Sequence, residues 1–407
     1  MRELPIKGAA IPANLREANR KKIFELLRME GILSRAEIAR LTGISVPTVS
    51  AAIRFFIEKG LAEEIGESEG QGRLGRKPIM VRFNPDAAYA LGIDLGGHSI
   101  DVGVVNLAGE LKGQISRPCA GGVIAAKDLD FIPELIEDLL RRLGLSRQRI
   151  LGVGVGMPGV TDPNAGTVRL APQLGLDSLE AQVPYLRESL HLRTGLPICL
   201  ENDVNAAALG EQRARGKDCP LHFAFVSVGV GIGAGLIFDG RLYRGSHNAS
   251  GEIGYMIVNG LRTSAPDGFG GLERIASCAA TVERAKALGW IAKKTAKSAD
   301  CLVEEVRQLG EEAEMGLEPA RSVLLETAEH LALALVNMVS VYDPALVVLG
   351  GVILEAGPWF LARLQEKFER LSPIPIPIEP SRNGSRAGLV GAAEVASVAN
   401  LDDFLSD

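Results

Sequence analysis

Apolar residues recur at helical spacing through the first sixty positions, then gather into short runs punctuated by glycine, which predicts a small helical head on a larger α/β body. Between Asn14 and Met29, Leu15, Ile23, Leu26 and Leu27 mark a buttressing helix whose Arg16, Arg20, Lys21 and Lys22 are candidates to touch a phosphate backbone. Residues 34–60 read as two short helices joined by a tight turn. Ala36, Ile38, Ala39 and Leu41 give the first a small apolar face, and Gly43 supplies the left-handed residue of a sharp helix exit. Ser45 caps the second helix, with Pro47 in its first turn, where a missing N–H costs little. Val49, Ile53 and Ile57 point inward at helical spacing, leaving Thr48, Ser50, Ala51 and Arg54 as an outward row that can lie in a major groove. An ordinary αα-hairpin shares that pattern; the flanks separate the two. After Gly60-Leu61 come a strand, a Gly-rich polar loop from Gly66 to Pro78, and extended Ile79–Phe83, the order of a winged helix-turn-helix. The loop carries Arg73, Arg76 and Lys77, either a basic wing for a minor groove and phosphates or a solvated loop. Pro47, Thr48, Ser50, Arg54, Arg73, Arg76 and Lys77 are thus the candidate DNA contacts.

The body repeats one pattern. Leu91–Gly97 is an apolar strand ending in a glycine turn, followed by the strand Ile100–Asn106 and a turn at Ala108-Gly109. About 130 residues later, Phe223–Val228 is a strand, Gly229–Gly233 a glycine turn, Ala234–Phe238 a strand and Asp239-Gly240 a hairpin turn. Two copies imply two similar α/β lobes facing each other. Gly96, Gly97, Gly229, Gly231 and Gly233 are candidates to bring backbone N–H groups to a nucleotide phosphate, or to serve tight packing. Between the copies, Glu201-Asn202-Asp203 follows an apolar strand and precedes a helix. A carboxylate flanked by amides there can hydrogen-bond a polyol or act as a base toward a hydroxyl, while Asn202 or Asp203 can equally cap the helix.

Composition narrows the class. With 407 residues, 46% of them hydrophobic, the chain can build two or three domains with real cores. Residues 1–82 hold 15 Lys+Arg against 10 Asp+Glu and the remainder 29 against 40, so only the head is suited to meet nucleic acid. The five cysteines stand singly, without the spacing of a disulfide framework or metal knuckle, which suits a reducing cytosol. No uninterrupted apolar leader is seen. The most apolar stretch, Leu331–Val352, is broken by Asn337 and Asp343-Pro344, as in a buried helix followed by a strand rather than a membrane span.

From about Asn14 to Val395 these residues resemble the ROK family, which groups sugar-responsive repressors with sugar kinases on a two-lobed, actin-like α/β fold (ribonuclease H-like, ASKHA). The matching landmarks are Asp94-Leu-Gly-Gly, Met157-Pro-Gly, Ala171-Pro-Gln-Leu-Gly, Glu201-Asn-Asp-Val-Asn, Gly229-Val-Gly-Ile-Gly-Ala-Gly, Gly251-Glu-Ile-Gly and Leu349-Gly-Gly. The resemblance implies that Asn202, Asp203 and Glu252 contact sugar hydroxyls, with Glu273 a further sugar-binding glutamate and Asp203 the catalytic base in kinase members. It divides the chain into a winged head at 1–84, a first lobe at 85–205 and a second lobe at 206–407, whose C-terminal segment is a candidate to return to the first.

Departures from the family pattern matter as much. Tyr255 replaces the usual histidine after Gly-Glu-Ile-Gly, and the positions of the family's zinc cysteines fall on Ser264, Pro266 and Gly271. Proline and glycine cannot replace thiolate ligands, so no structural zinc and no other cofactor is expected. Gln173 stands where Asn is common, and both it and Tyr255 are counted among the sugar contacts. His98-Ser99 and Val230 replace hydroxyl- and amine-bearing residues of the kinase phosphate loops, which weakens the case for Mg-ATP. The expected function is a cytoplasmic, homodimeric, sugar-responsive repressor that binds double-stranded operator DNA and no membrane. The alternative is an ATP-dependent sugar kinase, with Asp203 as base, carrying a DNA-binding head.

Overall fold

The structure is a computed structural model that describes residues 12–67, 78–95, 99–118, 126–169, 183–258, 269–292 and 301–406. The head runs α1 (Pro12–Glu30), β1 (Ile32–Ser34), α2 (Arg35–Thr42), α3 (Val46–Glu58), β2 (Ala62–Glu67) and β3 (Ile79–Phe83), with sheet order β1-β3-β2. A capping box starts α2: the Ser34 hydroxyl accepts from the Glu37 N–H, and the Glu37 carboxylate accepts from the Ser34 N–H at 2.8 Å. Gly43, at φ 72°, ends α2, and α3 then leaves at a bend of 119°. Ile23, Phe24, Leu27, Ile38, Val49, Ile53, Phe56 and Val81 form the core, with Phe24 meeting Phe56 and Phe83 edge-on.

Three details differ from the sequence pattern. Phe56, not Ile57, is buried in α3, because the inward arc runs through Val49, Ala52, Ile53 and Phe56 and the aromatic ring fits against Phe24. Ala36 and Leu41 are exposed, and Thr42 turns inward beside Ile38. Arg20, Lys21 and Lys22 of α1, expected to touch a phosphate backbone, are also committed within the protein. Arg20 donates to the Leu405 carbonyl and stacks over Phe55, Lys21 pairs with Asp402, and Lys22 donates to the Thr42 carbonyl. Helical spacing could not reveal that α1 docks on the last helix of the chain.

The first lobe contains β4 (Tyr89–Leu95), β5 (Ser99–Asn106), β6 (Leu111–Pro118), α4 (Ile132–Leu143), β7 (Ile150–Met157), the hairpin β8 (Val160–Asp162) and β9 (Thr167–Arg169), α5 (Val183–Thr194) and β10 (Ile198–Asn202). Then α6 (Asp203–Arg215) leads to β11 (Phe223–Val228), β12 (Ile232–Phe238), β13 (Arg241–Tyr243), α7 (Cys278–Ala287), α8 (Cys301–Glu314), α9 (Ala320–Tyr342), β14 (Leu346–Gly350), α10 (Gly357–Leu371), β15 (Ile378–Pro380) and α11 (Ala387–Leu405). The two large sheets run β10-β7-β4-β5-β6 and β13-β12-β11-β14-β15. In each, the first strand has an antiparallel hairpin on one side and two parallel strands on the other, so one topology occurs twice. Although α9 is long and apolar enough to cross a membrane, its apolar residues form the second-lobe core with α8 and α10.

Two helices join the lobes. Helix α11 lies on β4, β7 and β5 of the first sheet, α6 lies on β11 and β12 of the second, and the two helices cross in direct contact. The crossing depends on glycine: a Cβ at Gly391 would sit 1.7 Å from the Ala206 carbonyl oxygen, and one at Gly210 2.8 Å from the Gly391 nitrogen. Backbone meets backbone there, and little sliding is possible without separating the lobes.

Candidate functional site

The parallel strands set out the site. Register places Asp94 on β4, Gly156 on β7 and Glu201 on β10 level with one another at the carboxyl ends of their strands, the usual position for ligands of open α/β sheets. Asn202 and Asp203 follow where β10 turns into α6. The Asn202 Oδ1 accepts from the Asn205 N–H at 2.9 Å, while its Nδ2 donates to the Gly159 carbonyl and to Asp203 Oδ1, each at 3.0 Å. Asn202 therefore caps α6 and steadies Asp203. The Val204 N–H also donates to Asp203 Oδ1, at 2.8 Å, which fixes that carboxylate oxygen.

The second lobe supplies Glu252, Tyr255 and Glu273. Glu252 precedes a 3₁₀ turn that ends at Tyr255, and Tyr255 is partly exposed. Glu273 is buried, accepting from the Ile232 N–H at 2.9 Å and the Gly270 N–H at 2.7 Å. Its carboxylate thus ties two loops together beneath Gly254 and Tyr255. Two residues that sequence reasoning left without a role complete the rim. Glu201 is buried and accepts from the Asn202 N–H and Asn205 Nδ2 on one oxygen and from Arg244 on the other, at 2.9 and 2.5 Å. Arg244 comes from the second lobe, and Arg169 of the first lobe donates to the His247 carbonyl, so contacts cross the cleft in both directions. The position of Glu201 beside Asn202-Asp203 was the available signal; nothing in sequence marked Arg244.

Three acids in this cleft share a field. Burial, then Asp203 and Asp101, push Asp94 up to about 8. Burial raises Asp203 to about 6 against the hydrogen bonds that favour its charge, and burial with Asp203 and Glu273 raises Glu252 to about 7. The folded state therefore holds protons that the unfolded chain releases near pH 4, so this contribution to stability is complete below that pH and is lost as pH rises to about 8. The expected result is an unliganded Tm that falls between pH 5 and 8. Asp94→Asn should remove part of the slope above pH 6, on the order of 1 kcal/mol per pH unit at most. Calorimetry across that range checks it, and an unchanged slope would contradict the shared field.

The candidate phosphate loops separate into different environments. Gly229 and Gly231 form a turn closed by the Gly229 N–H on the Gly231 carbonyl at 2.9 Å, and the Gly229 carbonyl accepts from Cys278 at the start of α7. Gly233 lies within β12 rather than in the turn, where a Cβ would come 3.1 Å from Val204 of α6. Gly96 and Gly97 lie outside the described residues, as do Gln173, Ser264, Pro266 and the wing cations Arg73, Arg76 and Lys77. Among the described residues no group of three His, Cys, Asp or Glu side chains is placed to hold a metal ion. On the head, Pro47 and Arg54 are exposed and Thr48 and Ser50 partly so, on the side of α3 away from Val49, Ile53 and Phe56.

Comparison with known proteins matches two separate segments of the chain. A winged helix-turn-helix DNA-binding family matches residues 16–63, and the ROK family matches residues 90–398. The xylose repressor of Caldicellulosiruptor bescii is 30% identical over 96% of this chain and 97% of its own length. A solved ROK family transcriptional regulator, a homologue of the E. coli MLC protein, superposes with a TM-score of 0.75 over 96% of this chain and 98% of that one, at 22% identity. A ROK family glucokinase from Streptomyces griseus, solved in complex with glucose and AMPPNP, gives 0.63 over 76% of this chain and all of that one, at 26% identity. The kinase match thus leaves out a portion of this chain about the size of the head. With its body matched over more than three hundred residues and its head matched separately, the chain belongs to the ROK family and carries a winged helix-turn-helix DNA-binding domain.

Proposed function

We infer that this DNA-binding transcriptional regulator is a repressor released or engaged by a small sugar held between its lobes. What carries the reading is one chain holding both an outward α3 face on the head and an acidic, amide-lined cleft around Asp203 and Glu252 in the body. Carboxylates and amides recognise polyols by accepting and donating hydrogen bonds, and a xylose repressor is among the relatives matched over nearly the whole chain. Asn202 and Glu273 act chiefly by positioning, while Asp203 and Glu252 supply acceptors and Tyr255 a ring face. Homodimers would set two heads on paired half-sites. The test is a thermal-shift screen against D-xylose, D-glucose, N-acetyl-D-glucosamine and Mg-ATP. A sugar at a hundred times its Kd should stabilise the fold by about 2.7 kcal/mol. No shift with any sugar would sink the reading, and an unchanged melting curve in chelator is expected because no zinc clip is proposed.

Arg54 is the exposed cation of α3 and should select bases rather than supply general attraction. Arg54→Ala is expected to lower the preference for a selected duplex over random DNA by roughly tenfold or more, with a smaller change in affinity for random DNA. Equal losses on both duplexes in a fluorescence-anisotropy titration would move base reading elsewhere.

A second reading has one observation in its favour. Asp203, raised to about 6, is poised to take a proton from a hydroxyl near neutral pH, as a sugar kinase requires. Sugar-dependent phosphate transfer from ATP, abolished by Asp203→Asn, would establish that activity; its absence in a sugar-binding preparation would dismiss it.

A further inference from the structure

One buried carboxylate lies between the sugar cleft and the DNA-binding head. Glu394, on α11, accepts Arg28 Nη2 on both of its oxygens, at 2.9 and 2.8 Å, and Arg213 Nε and Nη2 on Oε1, at 3.1 and 2.5 Å. Arg28 belongs to α1 of the head, and Arg213 to α6, whose first residue is Asp203. Both the Arg28 side chain and the carboxylate are almost fully buried. At 1.5 Å per residue, Arg213 stands about 15 Å along α6 from Asp203. The stem of Arg213 also crosses the β5–β6 turn, in space left free by the absence of a Cβ on Gly109. A second ion pair, at 3.4 Å, joins Lys217, in the turn that follows α6, to Glu30 at the end of α1.

We propose that Glu394 is the positioning residue through which a sugar in the cleft acts on the head, by exchanging its bonds between Arg213 of the sugar-site helix and Arg28 of the head helix. The inference rests on the sugar-responsive reading above. Oε1 has two lone pairs and faces three donors, so any movement of Arg213 alters how well Arg28 is held. Arg28 is the less secure partner. Its Nε and Nη1 are buried without a hydrogen bond among the described residues, although Nη1 lies 3.5 Å from Glu25. Burial pulls the Arg28 guanidinium below its ordinary pKa, against the support of Glu394. When α6 shifts on sugar binding, the direct α6–α11 contact carries the displacement to Glu394, and Arg28 tightens or loosens α1 on the body. The head then has two docked geometries whose populations the sugar biases.

Arg28→Met and Arg213→Met test this, because each leaves Glu394 paired with the other arginine rather than bare. Two quantities are read: the fold-change in affinity for a duplex selected by the wild-type protein on adding D-xylose, D-glucose or N-acetyl-D-glucosamine, and the Tm shift that the same sugar produces. Wild type should show a fold-change within the range of about 5 to 150 typical of coupled sites. Each variant should fall below about threefold while keeping its Tm shift. A variant that keeps the full fold-change would overturn the inference. Hydrogen exchange over Pro12–Glu30 gives a readout independent of DNA: sugar should change it in wild type and not in Arg213→Met. Persistence of that change in Arg213→Met also overturns the inference, whereas a wild type whose DNA affinity ignores every sugar would instead defeat the functional reading itself.

Discussion

Gly391→Ala is expected to destabilise the protein by more than about 4 kcal/mol, although alanine is favoured over glycine in a helix interior by about 1 kcal/mol. The added Cβ would stand 1.7 Å from the Ala206 carbonyl oxygen and 2.2 Å from its carbon, and both are backbone atoms of α6 that cannot swing aside as a side chain could. Relief requires α6 and α11 to separate, which uncovers the interface between the lobes and shifts Glu394 three residues along the same helix. Urea unfolding should therefore show a lower midpoint, and the head should lose its fixed seat on the body at the same time. A variant as stable as wild type would mean that the helices do not meet through their backbones, and the coupling drawn from that contact would fall with it.

Asp203→Asn should weaken sugar binding by about 1.5 to 3 kcal/mol, the usual worth of a hydrogen bond to a charged acceptor, or roughly ten- to a hundredfold in Kd. The substitution preserves an oxygen for the Val204 N–H and the Asn202 amide, so α6 keeps its start. It also removes a like charge that helps to hold Asp94 and Glu252 in their protonated forms. Unliganded stability near pH 7 should then rise while affinity falls, two effects of opposite sign from one atom. Calorimetric titration with the sugar that shifts the wild-type Tm measures the first, and a melting curve without sugar the second. Affinity within threefold of wild type would remove Asp203 from the site.

The two lobes were legible in the sequence because glycine turns and hairpin signals recur at matching intervals, and the repeated sheet order follows that repeat. The stop of α2 and the start of α3 were legible because Gly43 and Ser45 act locally through capping. Long-range contacts were not. Nothing in the spacing of Arg20, Lys21 and Lys22 distinguishes cations that wait for phosphate from cations already bound to Leu405, Asp402 and Thr42. Phe56 and Ile57 are equally plausible inward residues until the ring of Phe24 decides between them. In the cleft, Asp203 and Glu252 carried family motifs, whereas Arg244 and Glu394 acquire roles only from partners 43 and 366 residues away. The small residues of α11, read as sequence, show only a helix of low polarity; their meaning is the close approach of α6.

The most direct measurement titrates a wild-type-selected DNA duplex with the protein, in the absence and presence of each screened sugar and without ATP. Coupling between the cleft and the head predicts that one sugar that raises the Tm also changes DNA affinity at least fivefold, with no nucleotide required. DNA affinity that is the same with and without every stabilising sugar, or that changes only when ATP is added and consumed, would contradict it.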